Sequence, residues 1–143
     1  MKHFIVTLLA VFLALSSACA NLGDGGDRID DSYGNLVERH LRDDGTVSTL
    51  YHKDRYLYFV VFDNGVSVSE RYSHVKGTDL SEKEIARFLK ANAAGARWTP
   101  DDKSKERKFE RSDHKAEATY VTVDGRPTLT VRALSRSTPE IKN

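Results

Sequence analysis

Tyr56-Leu57-Tyr58-Phe59-Val60-Val61-Phe62-Asp63-Asn64-Gly65-Val66-Ser67-Val68-Ser69-Glu70-Arg71-Tyr72-Ser73-His74 describes a β-hairpin. Two runs rich in β-branched and aromatic residues flank Asn64-Gly65, and both turn residues tolerate the positive φ that a tight two-residue turn needs. The first run is apolar at every position through Phe62, the pattern of a central strand covered on both faces. The second alternates, with Val66, Val68 and Tyr72 on one side and Ser67, Ser69, Arg71 and Ser73 on the other, so that side is half solvated.

The neighbouring segments extend this hairpin into a meander. Residues 33 to 42 fit either a short helix after Ser32 or an alternating strand, and the Asp43-Asp44-Gly45 turn before Thr46 to Tyr51 favours a strand hairpin from about Leu36. Beyond Tyr72 the period changes. Ser81 and Glu84 form a capping box, Leu80 and Ile85 are spaced as a hydrophobic staple, and Ile85, Phe88, Leu89 and Ala93 share one helical face up to Gly95. One apolar stripe places this helix, Glu82 to about Ala94, on a sheet face, with Trp98 at its edge. Asp101 to Lys108 reads as a charged exposed loop; strands resume at Phe109, Ala116 to Thr122 and Thr128 to Ala133, the last two joined by an Asp124-Gly125 turn. The expected fold is α+β: an antiparallel meander sheet of five to seven strands with one main helix packed on one face. No internal repeat stands out.

Composition bounds the setting. Lys2, the apolar run Phe4 to Leu15 and Ala18-Cys19-Ala20 make residues 1–20 a signal peptide, which predicts an exported, periplasmic or extracellular protein. Cys19, the single cysteine, admits a second outcome, lipidation at a new N-terminus, although Ser16-Ser17-Ala18 favours cleavage after Ala20. No further apolar stretch predicts a transmembrane segment in the mature chain. Removal of Lys2 brings the 22 basic side chains level with the 21 acidic ones, which argues against nucleic acid as a partner. Residues 21–31, rich in Gly and Asp, read as a flexible tether, 32–134 as a single domain and 135–143 as a disordered polar tail.

Candidate chemistry is sparse. The histidines of the expected mature chain, His40, His52, His74 and His114, lack the spacing of a metal pair, that chain has no thiol nucleophile, and no Gly-x-Ser-x-Gly turn or phosphate-binding loop occurs. No cofactor and no metal are expected, and a catalytic role is disfavoured. Glu70 is the oddity: a two-residue turn pairs it with Phe59 and a bulged three-residue turn with Tyr58, and the first sets a carboxylate among Leu57, Val61, Val68 and Tyr72. An ion pair at the sheet rim is the ordinary solution. The same two-residue register gathers Tyr51, Tyr56, Tyr58 and Phe62 on one side with Ser67, Ser69 and Arg71. If the helix covers the other side, these residues form a binding surface; if the N-terminal segment or the final strands cover them, they are core.

Val61-Phe62-Asp63-Asn64-Gly65-Val66, Tyr72, Asp79-Leu80-Ser81-Glu82-Lys83-Glu84-Ile85, Leu89, Asn92, Gly95 and Trp98, continuing through Asp113, Ala116, Ala118 and Tyr120, resemble an uncharacterised family of small exported bacterial proteins. The resemblance implies a sheet-plus-helix domain behind a signal peptide and carries no catalytic residue. The layout also looks like small envelope modules of the outer-membrane assembly-factor type and like β-lactamase-inhibitor-like domains, although the two-helix start of such modules is absent or reduced to Ser32 to Leu41. The functional expectation is a non-catalytic binding or envelope-associated domain with a protein or cell-envelope partner. The alternatives are a secreted inhibitor of an extracytoplasmic hydrolase, acting through the Asp101 to Lys108 loop or a hairpin tip, and an enzyme of unrecognised type.

Overall fold

The computed structural model describes residues 21–135. The expected leader 1–20, Cys19 and the tail beyond Ser135 lie outside these residues. The hairpin at Asn64-Gly65 forms as expected, with both residues at positive φ (50° and 79°), and joins β3 (Tyr56–Asp63) to β4 (Val66–His74). β1 (Leu36–Leu41) and β2 (Val47–Lys53) precede it, so residues 36–41 are strand. A second meander follows: β5 (Trp98–Pro100), β6 (Arg107–Arg111), β7 (Ala116–Val123) and β8 (Arg126–Ala133).

The two meanders share one eight-stranded antiparallel sheet in the order β1-β2-β3-β4-β8-β7-β6-β5, joined where Ser69 to Tyr72 pair with Leu129 to Arg132. A helix precedes each: α1 (Gly26–Tyr33) before β1 and α2 (Glu82–Ala91) before β5. The expectation of five to seven strands and one main helix is therefore corrected. Among the described residues the fold is mostly β, with eight strands and two short helices. It repeats one helix-plus-meander plan, a topological repeat with no visible echo in the sequence.

The capping box of α2 is present, with Glu84 N–H donating to Ser81 Oγ (3.2 Å) and Ser81 N–H to Glu84 Oε2 (2.7 Å). Leu80 and Ile85 are both buried, and the helix ends at Asn92, earlier than the apolar stripe implied. Residues 21–31 are not a tether. Ile29 is fully buried, and the segment docks because Gly23 N–H donates to Ser67 O (2.8 Å) and Ser67 N–H to Asp24 O (2.9 Å). Gly and Asp suppress the local helix signal here, and tertiary burial of Ile29 and Tyr33 overrides it.

Both helices lie on the same sheet face. The Phe88 ring of α2 stacks on Tyr72 (centroids 4.3 Å apart) and meets Tyr56 edge-on (5.3 Å), while the Tyr33 ring of α1 stacks on Tyr58 (4.1 Å). Val60, Leu129 and Val131 complete this core. We expect Phe88→Ala to cost about 3–5 kcal/mol and Ile29→Ala about 2–5 kcal/mol in urea unfolding. Phe59→Ala, on the opposite and uncovered face, should cost far less. A negligible loss at Ile29 would return residues 21–31 to the role of linker.

Candidate functional site: the helix-free sheet face

The register of β3 against β4 assigns every side chain its face. Asp63 pairs with Val66, as a two-residue turn requires, but Phe62 then pairs with Ser67 and Val61 with Ser69. Val68 is the extra residue of a β-bulge, and beyond it the phase of β4 is reversed relative to simple alternation. Glu70 therefore opposes Val60, not Phe59 or Tyr58, and Arg71 opposes Phe59.

Of the two outcomes open to the tyrosine-rich side, exposed surface or covered core, the structure takes the second. Tyr51 is fully buried, Tyr56, Tyr58 and Phe62 are each 7% exposed, and all lie beneath the helices as core. The N-terminal segment, through α1, is part of what covers them. Of Tyr51, Tyr56, Tyr58, Phe62, Glu70 and Arg71, Arg71 alone faces away, so the structure does not bring all of them together.

Glu70 is 0% exposed. Its carboxylate accepts hydrogen bonds from Tyr33 OH (2.7 Å) and Tyr72 OH (2.6 Å) at Oε2 and from Ser67 Oγ (2.8 Å) at Oε1. No ion pair among the described residues involves it, so the rim ion pair expected for it is replaced by three hydroxyls. Asn92 Nδ2 donates to Tyr72 OH (2.8 Å), and Asn92 Oδ1 accepts from Leu22 N–H (2.8 Å), carrying the network to the end of α2 and back to the N-terminal segment. Burial pushes the carboxyl of Glu70 above its ordinary range against the pull of Tyr72, Tyr33 and Ser67, and the nearby Asp24 charge pushes the same way.

A second carboxylate behaves oppositely. Burial pushes Glu84 up, but hydrogen bonds from Tyr56 OH (2.5 Å), the Ser81 backbone and His74 Nε2 (3.2 Å) outweigh it and hold the carboxyl at about 2. The His74 ring stacks on Tyr56 (5.2 Å), which ties β4 to the first turn of α2. His52 pairs with Leu57 and His74 with Tyr56, so the two histidines take opposite faces and form no cluster. Among the described residues no group of three or more His, Cys, Asp or Glu is placed to hold a metal ion. Asp113 accepts from Arg111 Nε (2.9 Å) and Lys115 N–H (3.0 Å), a turn contact rather than an acid–base pair with His114.

Among the described residues the opposite face carries no helix. Leu50 pairs with Phe59, Phe59 with Arg71 and Arg71 with Thr130, forming one row across β2, β3, β4 and β8. Leu57 and Val61 flank Phe59 on the same side of β3. These residues are half-buried, except Val61 at 8% exposure, because neighbouring side chains shade one another on a pleated surface. The Arg71 guanidinium lies over the Phe59 ring, 5.0 Å from its centroid, and Arg71 Nε is shielded from solvent without a hydrogen-bond acceptor. Arg71 belongs to no ion pair among the described residues. Farther along the face, Glu117 on β7 pairs with Lys108 (2.9 Å) on β6 and with Arg132 on β8, so the charges of the second meander neutralise one another. Leu50, Phe59 and Thr130 carry no sequence mark as surface residues because helix docking decides which face is open, and the bulge in β4 hides that Arg71 shares their side. The available clue was Glu70 itself, whose placement on the helix side would have turned Arg71 outward.

No family model matches the chain, and no curated protein matches it. Among solved structures the chain is similar to a cysteine-rich secretory protein from Staphylococcus aureus subsp. aureus Mu50, at 14% identity and a TM-score of 0.45, over 80% of this chain and 44% of that one. The chain thus spans less than half the length of that protein. No helix among the described residues is long and apolar enough to cross a membrane.

Stability should carry the two carboxylates as opposite slopes. The depressed Glu84 contributes stability that is present above its ordinary value of 4.5 and lost as pH falls toward 2, on the order of 3 kcal/mol at most. The raised Glu70 contributes stability that is present below 4.5 and lost as pH rises through its elevated value. In urea titrations from pH 3 to 8, wild type should lose stability relative to Glu70→Gln above pH 4.5, and Glu84→Gln should make the fall below pH 4.5 shallower, the remainder belonging to Asp44, Glu82, Asp113 and Glu117, whose carboxyls are also held low. Parallel curves for wild type and Glu70→Gln would refute the assignment.

Proposed function

We propose that this chain is a non-catalytic protein-binding module whose contact surface is the helix-free sheet face, centred on Arg71 and Phe59. One observation supports this above the others: an arginine held on an aromatic ring, with no carboxylate partner among the described residues, stands amid Leu50, Leu57 and Val61 on a face that neither helix covers. Arginine and aromatic side chains concentrate binding energy at interfaces, and the stacked guanidinium is already ordered, which lowers the entropy lost on association. The chemistry selects a protein surface that offers a carboxylate flanked by apolar side chains. An exported or envelope-associated setting follows from the residues 1–20 pattern and belongs to the same proposal.

A proteinaceous hydrolase inhibitor is the second reading. It is favoured by the tip between β5 and β6, where Lys103 N–H donates to Asp101 Oδ1 (3.0 Å) and Asp101 N–H to Lys108 O (2.8 Å), bracing a charged loop from within.

A photoreactive residue at Thr130 separates the two. It should capture a partner from the envelope fraction, and unlabelled wild type should compete for that partner. Arg71→Glu should compete at least about 30-fold less well, the loss of a single interface anchor. Capture from position Asp102 rather than Thr130 supports the inhibitor, and equal competition by Arg71→Glu overturns the proposed face.

A further inference from the structure

An open sheet ends in two edges, and the two edges of this one are finished differently. β5 is three residues long and closes on Pro100, which offers no N–H. β1 is six residues long and exposed at every position, and Leu36 (45%), Val37 (59%) and Leu41 (78%) are three of the five large apolar side chains exposed among the described residues. Arg42 N–H donates to Thr46 O (2.8 Å) inside the β1–β2 hairpin. Antiparallel alternation then directs the backbone groups of Glu38 and His40 toward β2 and those of Arg39 and Leu41 away from it. Among the described residues these outward groups have no strand beyond them. The irregularity in β1 lies between Leu36 and Glu38 and leaves Glu38 to Leu41 in regular register.

The sequence of this edge complements itself. A two-fold axis perpendicular to the sheet, passing through His40, sets Arg39 opposite Leu41 of the other copy and Leu41 opposite its Arg39, which forms four backbone hydrogen bonds from the outward groups. The same axis sets Glu38 opposite Arg42 and Arg42 opposite Glu38, at the positions where side chains on adjacent strands stand closest. A shift of two residues in one direction would oppose Arg39 with Arg39, and in the other it would draw the turn residue Asp43 into the strand. We propose that β1 pairs edge to edge with β1 of a second copy in this register, continuing the sheet across the dimer and placing both helix-free faces on the same side. Any partner that docks on Arg71 then meets two equivalent sites.

Sedimentation equilibrium at concentrations up to about 1 mM tests the pairing. The chain as its host processes it should form a dimer. Glu38→Arg, which faces Arg42 of the other copy with like charge, should raise the dissociation constant at least about tenfold. The double variant Glu38→Arg with Arg42→Glu restores opposite charges and should regain the wild-type value. Circular dichroism should be unchanged in both variants, since Glu38 and Arg42 are exposed. A wild type that stays monomeric throughout, a Glu38→Arg dimer as tight as wild type, or a double variant no tighter than Glu38→Arg overturns the proposal.

Discussion

A carboxylate with no exposed surface is the constraint around which this fold is arranged. Glu70 sits in the middle of the sheet beneath two helices, where an unsatisfied ionisable group would cost several kcal/mol. Its three hydroxyl donors come from separate parts of the chain: Tyr33 ends α1, Ser67 sits in the bulge, and Tyr72 lies on β4. Tyr72 is in turn fixed by Asn92, which caps α2 and holds Leu22 of the N-terminal segment. Apolar packing of Phe88 on Tyr72, or Tyr33 on Tyr58, is strong but weakly directional. The hydrogen bonds supply direction, and through them one side chain specifies the positions of both helices and the entry of the chain.

The bulge that makes this possible has a second effect. By inserting Val68, β4 turns Glu70 toward the helices and Arg71 away from them, so the acid is sealed and the neighbouring base is offered outward. Without that extra residue the two would exchange sides, with an arginine under the aromatic core and a glutamate on the open face. Ser67, on the hairpin side of the bulge and beyond the reach of β8, bonds through its backbone to Gly23 and Asp24, which begins the docking of α1. Core formation and presentation of the open face are thus two results of one local insertion.

This explains why part of the structure was legible in the residues and part was not. The Asn64-Gly65 turn, the Ser81 and Glu84 box and the alternation of Thr128 to Ala133 are local, and each is encoded within a few residues by backbone geometry or capping. α1 is different. Gly26, Asp27, Asp30 and Asp31 are poor helix formers, and only the fit of Ile29 and Tyr33 under the sheet makes those residues helical. The bulge has no sequence mark either, since Val66-Ser67-Val68-Ser69 alternates well enough to argue against one. Because side-chain period in a strand is two, that single unmarked residue puts Glu70 and Tyr72, rather than Arg71, on the face of Tyr51, Tyr56 and Tyr58, which the helices cover. Arg71 is legible as a candidate, but the companions it has in the structure, Leu50 and Phe59, are not.

Placing both helices on one face has a consequence for where interaction is left to occur. The covered face is closed by rings and by the Glu70 network. On the bare face, β6, β7 and β8 spend their charges on one another through Lys108, Glu117 and Arg132. The first meander lacks such compensation at its centre, where Arg71 is held by a π face instead of an acid. A guanidinium bound to an aromatic ring keeps most of its hydrogen-bonding capacity, because the ring engages its plane and leaves its N–H edge open. The seam between the two meanders, where β4 meets β8, is therefore the place on the uncovered surface at which ordered positive charge, apolar surroundings and solvent access coincide. That coincidence follows from the same register that hides Glu70, so the surface offered to a partner and the network that stabilises the core rise or fall with one strand alignment.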